Sequence, residues 1–171
     1  MVFAFVVYTA VAGVWGVRDL ATTKVGLITE STLPEGTESL SQIPVGAELS
    51  RIGDQVVGKW GDFTGGLVFG TPGPLTIEFL NPQGSVEVRL PTLEEDRIRA
   101  ALSVVPWYPA TVGAVNPGSP AADGGIEEGD VIVGVDGAPV RNWTDFLGFV
   151  KPNPGARIEL QIERNGRELM R

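Results

Sequence analysis

Histidine and cysteine are both missing from this 171-residue chain. Without histidine there is no Ser-His-Asp triad, no Cys-His pair and no HExxH zinc motif. Without cysteine there are no disulfides and no thiolate metal sites, and that absence fits any compartment. No constellation of carboxylates, lysines or serines stands out in their place. No catalytic residue, metal ligand or cofactor is therefore expected in this chain. Basic residues are also scarce: 13 Lys and Arg stand against 21 Asp and Glu, giving a net charge of −8. They form no cluster, so a nucleic-acid partner is not expected.

Apolar residues make up 43% of the chain, enough for packed cores. The 23 glycines and 13 prolines are clustered between short β-like runs, the pattern of a small folded domain with many turns. The length suits one or two small domains.

Charge is absent altogether from residues 2–17, VFAFVVYTAVAGVWGV. As a helix this run would reach about 24 Å, slightly short of a full bilayer crossing. Trp15, just before Arg18 and Asp19, falls where a membrane interface would lie. A signal peptide is opposed by the lack of a preceding Lys or Arg and of a clear A-x-A site. A buried strand or helix of a soluble domain is a second alternative. The reading adopted is a partial transmembrane helix over 1–18, with the chain an excised piece of a longer membrane protein.

Downstream, two stretches match at a constant shift of 83: PVGAELSRIGDQVVGKWGDF from Pro44 and EEGDVIVGVDGAPVRNWTDF from Glu127. The shift lays Gly46 on Gly129, Leu49 on Ile132, Trp60 on Trp143 and Phe63 on Phe146. It continues through Leu75, Ile77 and Phe79 onto Ile158, Leu160 and Ile162. A W-x-D-F match with three alternating apolar pairs in register points to a duplicated module. The joint falls near Pro91 to Ala100, giving modules over 19–91 and 92–171.

The second copy reads clearly. Ser119 caps a short helix with Pro120 at its first position, and Gly124-Gly125 ends it. Residues 131–135 form a strand, and Asp136-Gly137 a tight turn. Asn142 is an N-cap with Asp145 in a capping-box-like position, and the helix runs to about Val150 before Pro152. Ile158, Leu160 and Ile162 alternate with polar residues, and Asn165-Gly166 signals a hairpin. The sum is an α+β fold of two sandwich or partial-barrel modules.

The string GSPAADGGIEEGDVIVGVDG, from Gly118 to Gly137, resembles the PDZ signature of bacterial proteases, with Asp123-Gly124 its one irregularity. An apolar helix end, then a divergent PDZ-like module, then a regular one followed by N-P-G and I-E-R-x-G, resembles the tandem PDZ region of bacterial site-2 proteases. These are the RseP-like intramembrane zinc metalloproteases. The resemblance implies a regulatory region that screens polypeptide substrates in regulated intramembrane proteolysis. It implies an inner-membrane protein with its PDZ modules on the periplasmic side, anchored through residues 2–17, and zinc bound elsewhere in the full-length protein. Two alternatives accompany it: the PDZ arm of an HtrA-type serine protease, and a nonenzymatic membrane-anchored adaptor.

A PDZ domain adds a peptide, often a C-terminus, as a strand beside a helix. In the second module the helix wall would be Trp143, Leu147 and Val150. The carboxylate loop would be Ala101, Leu102, Ser103 and Val104, with Ser103 where the family has Gly. Arg97 and Arg99, beside Glu94, Glu95 and Asp96, read as a solvated charged linker.

Overall fold

The computed structural model describes residues 21–152 and 154–171. Segment 2–17, read above as the end of a membrane helix, lies outside them. Among the described residues no helix is long and apolar enough to cross a membrane. The fold is α+β, and its buried apolar residues gather in two separate clusters.

The first unit opens with β1 (Val25–Ile28) and two 3-10 turns, then β2 (Glu48–Ile52), β3 (Gln55–Val56) and helix α1 (Trp60–Phe69). Strands β4 (Gly73–Leu80) and β5 (Gly84–Leu90), helix α2 (Glu94–Ser103) and β6 (Val104–Pro106) follow. One sheet has the order β3-β2-β4-β5, and β1 pairs with β6 in a second, two-stranded sheet. Alternation drives β4 and β5: Ile77 and Phe79, then Val86, Val88 and Leu90, turn inward while the residues between them face water. Phe63 and Leu67 of α1 are fully buried against this face. Burying such a side chain contributes about 1.5–3 kcal/mol.

The second unit contains α3 (Pro120–Asp123), β7 (Val131–Val135), β8 (Ala138–Pro139), α4 (Trp143–Val150), β9 (Leu160–Arg164) and β10 (Arg167–Met170). Its sheet order is β10-β9-β7-β8, the same sequence of neighbours as in the first unit. The expected caps form. Ser119 accepts a hydrogen bond from the Ala122 amide, and Asn142 accepts one from the Asp145 amide.

The internal match at 83 residues extends to backbone geometry. Leu49 pairs with Phe79 and Ile52 with Ile77; their counterparts Ile132 and Val135 pair with Ile162 and Leu160. Both ladders shift register between the same two positions, Leu49/Arg51 and Ile132/Gly134. Trp60 packs on Phe63 at 5.4 Å between ring centres, and Trp143 on Phe146 at 5.2 Å. Gly46 and Gly129 take positive φ of 93° and 91° in equivalent turns, a conformation open to glycine at little cost.

The segment expected to be a solvated linker is instead helix α2. Its small residues Ala100 and Ala101, with Val104 of β6, belong to the first core. Helices α1 and α2 lie against each other.

Candidate peptide-binding groove

Helix α1 starts where it does because the Asp62 carboxylate accepts hydrogen bonds from the Gly58 and Lys59 amides at 2.9 and 3.1 Å. That satisfies two donors ahead of the first turn and places an acid at the positive helix end. With Phe63 and Leu67 in the core, Trp60, Thr64 and Val68 form a second stripe at spacing i, i+4, i+8. This stripe is one wall of a cleft of about 380 Å³. The opposite wall is β6, through Val104, Val105 and Pro106, and Ile98, Ala101 and Leu102 of α2 complete it. Among the described residues no ionisable side chain lines it.

Strand β6 is held by β1: Ile28 pairs with Val104, Leu27 with Val105 and Val25 with Pro106. A Cβ on Gly26 would lie 2.5 Å from the Pro106 carbonyl oxygen, so only glycine permits this approach. The other edge of β6 has no strand partner among the described residues. A helix and an unpaired strand edge facing one apolar cleft is the arrangement into which an extended peptide adds as a further strand.

The structure divides the residues expected to form one site. Ala101, Leu102 and Val104 line the cleft beside α1 of the first unit. Ser103 turns inward: it is 3% exposed, donates to the Arg99 carbonyl at 2.8 Å and sits 2.8 Å from the Thr32 hydroxyl. Trp143, Leu147 and Val150 belong to α4 of the second unit. There Val150 lines a separate open cleft with Phe146, Ile126, Ile158 and Leu160, while Trp143 packs on the second core and Leu147 is half-buried. The segment 101–104 thus partners the helix of the preceding unit rather than α4. Sequence reasoning missed Trp60, Thr64 and Val68. The repeat carried the signal, because the shift that lays Trp60 on Trp143 also lays Thr64 on Leu147.

The second cleft is larger, about 1050 Å³. The Val112 amide donates to Asp130 O at 2.7 Å and Val112 O accepts from Gly129 N at 2.9 Å. Val25 makes the same pair of bonds with Ala47 and Gly46. Residues 112–115 therefore stand where β1 stands, yet among the described residues no strand pairs with them as β6 pairs with β1. Phe146, Val150 and Leu160 are half-exposed, whereas their counterparts Phe63, Leu67 and Ile77 are fully buried.

Two polar features hold the second unit. Arg164 grips the buried Asp130 with both ends of its guanidinium, at 2.6 and 2.8 Å, and also reaches Gly125 O and Glu127. The Arg164 hydrogen bonds hold the Asp130 carboxyl below the usual carboxylate range, against the opposing effect of burial. Asn142, fully buried, caps α4 with its oxygen and donates from Nδ2 to Gly26 O at 3.2 Å. One side chain thus ties the helix of the second unit to the strand that carries β6.

Residues 111–164 match the family model for the PDZ domain. Over 98% of its length the chain is 31% identical to the regulator of sigma-E protease RseP of Salmonella typhimurium. This is an RseP-like PDZ region. The chain spans 39% of that relative's length. The Escherichia coli RseP is 46% identical over 55 residues, 32% of this chain and 12% of that protein. The zinc metalloprotease RasP of Geobacillus kaustophilus is 29% identical over 70 residues, 39% of this chain and 17% of that protein. The RseP-like region has neither histidine nor cysteine, and among the described residues no group of three or more acidic side chains is placed to hold a metal.

Proposed function

We propose that this chain is the substrate-screening PDZ region of a membrane-embedded zinc metalloprotease acting in regulated intramembrane proteolysis. The observation that carries the proposal is the match to RseP along 98% of the chain. A match to one PDZ module alone would suit any PDZ protein, including an HtrA-type protease or an adaptor. In this reading the first unit, over 19–91 with α2 and β6 added, is a divergent PDZ module in tandem with the second. Residues 2–17 enter the bacterial inner membrane, and both modules stand on its periplasmic side. Zinc and its ligands belong to other parts of the full-length polypeptide, so this chain takes no step in peptide-bond hydrolysis. Its work is to admit or refuse polypeptides, and the apolar cleft between α1 and β6 is its receptor for an extended segment.

The test is made in the full-length protein. Deleting residues 21–171 should allow cleavage of an intact membrane substrate that the parent cuts only after it has been trimmed. Loss of cleavage of both forms would contradict a screening role. A gene whose upstream sequence encodes a soluble serine-protease domain instead of HExxH would contradict the assignment itself.

A further inference from the structure

The α1–β6 cleft differs from a receptor for chain ends at the place where a terminal carboxylate would be held. Carboxylate capture uses free backbone amides presented by a small-residue loop. Here residues 94–103, leading directly into β6, are helical. Amides within a helix already donate to carbonyls one turn back. At the end of the cleft where α2 meets α1 both helix ends are C-terminal, with Val68 on the last turn of α1 and Ala101 and Leu102 on the last turn of α2, while Trp60 on the first turn of α1 lines the cleft further along. C-terminal helix ends carry partial negative charge.

Arg97, the nearest cation to α1's end, is engaged in the fold. Its Nε donates to Val68 O at 2.8 Å and its Nη1 to Pro91 O and Thr92 O at 3.0 and 2.9 Å. Finally, this end of the cleft is open. Leu102 is 75% exposed and Ile98, one turn earlier, is 40% exposed. They continue the apolar surface of the cleft outward.

We infer that this groove takes an internal, extended apolar segment that runs through it, and selects against a free C-terminal carboxylate. The inference rests on the groove being a peptide receptor, as proposed above. A carboxylate brought to the two helix ends meets no free amide nest, and the Arg97 guanidinium there is already held by three carbonyls. A neutral continuing chain meets Leu102 and Ile98.

The experiment uses the full chain in mild detergent and an array of octapeptides carrying paired apolar residues in every register. Each is synthesised as the free acid, as the C-terminal amide, and extended at its C-terminus by a Gly-Ser linker. Amide and extended forms should bind about two- to fivefold tighter than the acid, whose carboxylate would leave water without a backbone donor to replace it. Thr64→Arg, which fills the cleft from the half-buried middle of the α1 stripe, should abolish binding. Leu102→Lys, at an exposed position, should shift preference towards the free acid. Free acids binding tenfold tighter than amides to the parent would overturn the selectivity and leave the receptor reading standing. The same holds for a Leu102→Lys variant with unchanged preference. Binding that survives Thr64→Arg would overturn the location, and an array without any binder would overturn both the inference and the receptor reading.

Discussion

Asn142 carries two separable interactions, and substitution can take them apart. Its oxygen accepts from the Asp145 amide at 2.9 Å and its Nδ2 donates to Gly26 O at 3.2 Å, with the side chain wholly shielded from solvent. Asn142→Ser keeps a capping oxygen and removes the Nδ2 group that reaches Gly26 O. The Gly26 carbonyl then loses a buried partner, at a cost of about 1–2 kcal/mol. Asn142→Ala removes the cap as well, adding about 1 kcal/mol. The expected order of stability is parent, Ser, Ala, with the parent and Ala separated by about 2–3 kcal/mol. Urea unfolding followed by tryptophan fluorescence measures it, read as a fall in midpoint at constant slope. A serine variant as stable as the parent would show that the bond to β1 contributes nothing. Serine and alanine variants of equal stability would show the same for the cap. Either result would refute the assignment of both roles to this side chain.

Gly26→Ala should force β1 and β6 apart, because the new methyl meets backbone rather than a movable side chain; amide exchange at Val104 and Val105 should accelerate. At Gly66 an added Cβ would lie 2.7 Å from Cγ2 of the buried Ile52, so Gly66→Val should cost about 1–3 kcal/mol by overpacking, measured by thermal melting. Phe63→Ala should cost about 3–5 kcal/mol and its counterpart Phe146→Ala distinctly less, since only the first is fully buried. The lowered pKa of Asp130 stabilises the fold above the unfolded carboxylate value of about 3.9, and that contribution disappears as pH falls through the lower folded value. Stability curves of the parent and Asp130→Asn should therefore run parallel near neutrality and converge in acid; a gap that persists in acid would show that the carboxylate's charge is not the cause.

The second unit was the more legible in sequence because its signals are local. Ser119, Asn142, Asp136-Gly137 and Asn165-Gly166 each act within a few residues, and each forms the cap or turn expected of it. The repeat was legible because buried pairs such as Leu49–Phe79 and Ile132–Ile162 preserve the residue types that fill equivalent places. Helix α2 was not legible. The run EEDRIRAALS reads as solvated charge, since its buried positions are alanine and serine, which hydrophobic patterning scarcely registers. Its Arg97 acts through the carbonyl of Val68, 29 residues away in sequence. The groove failed to read out for a related reason. Val104 finds Ile28 across most of the first unit, and no local signal says which helix a returning strand will face. Strand β9 also begins at Leu160, later than the alternation from 156 suggests.

The most direct measurement is an amide and side-chain NMR titration of the full chain with an apolar octapeptide. The account predicts shifts that cluster on the Trp60 indole, Thr64, Val68, Val104 and Val105, with those of α4 far smaller. Shifts confined to Phe146, Val150 and Leu160 would place recognition in the other cleft and contradict it.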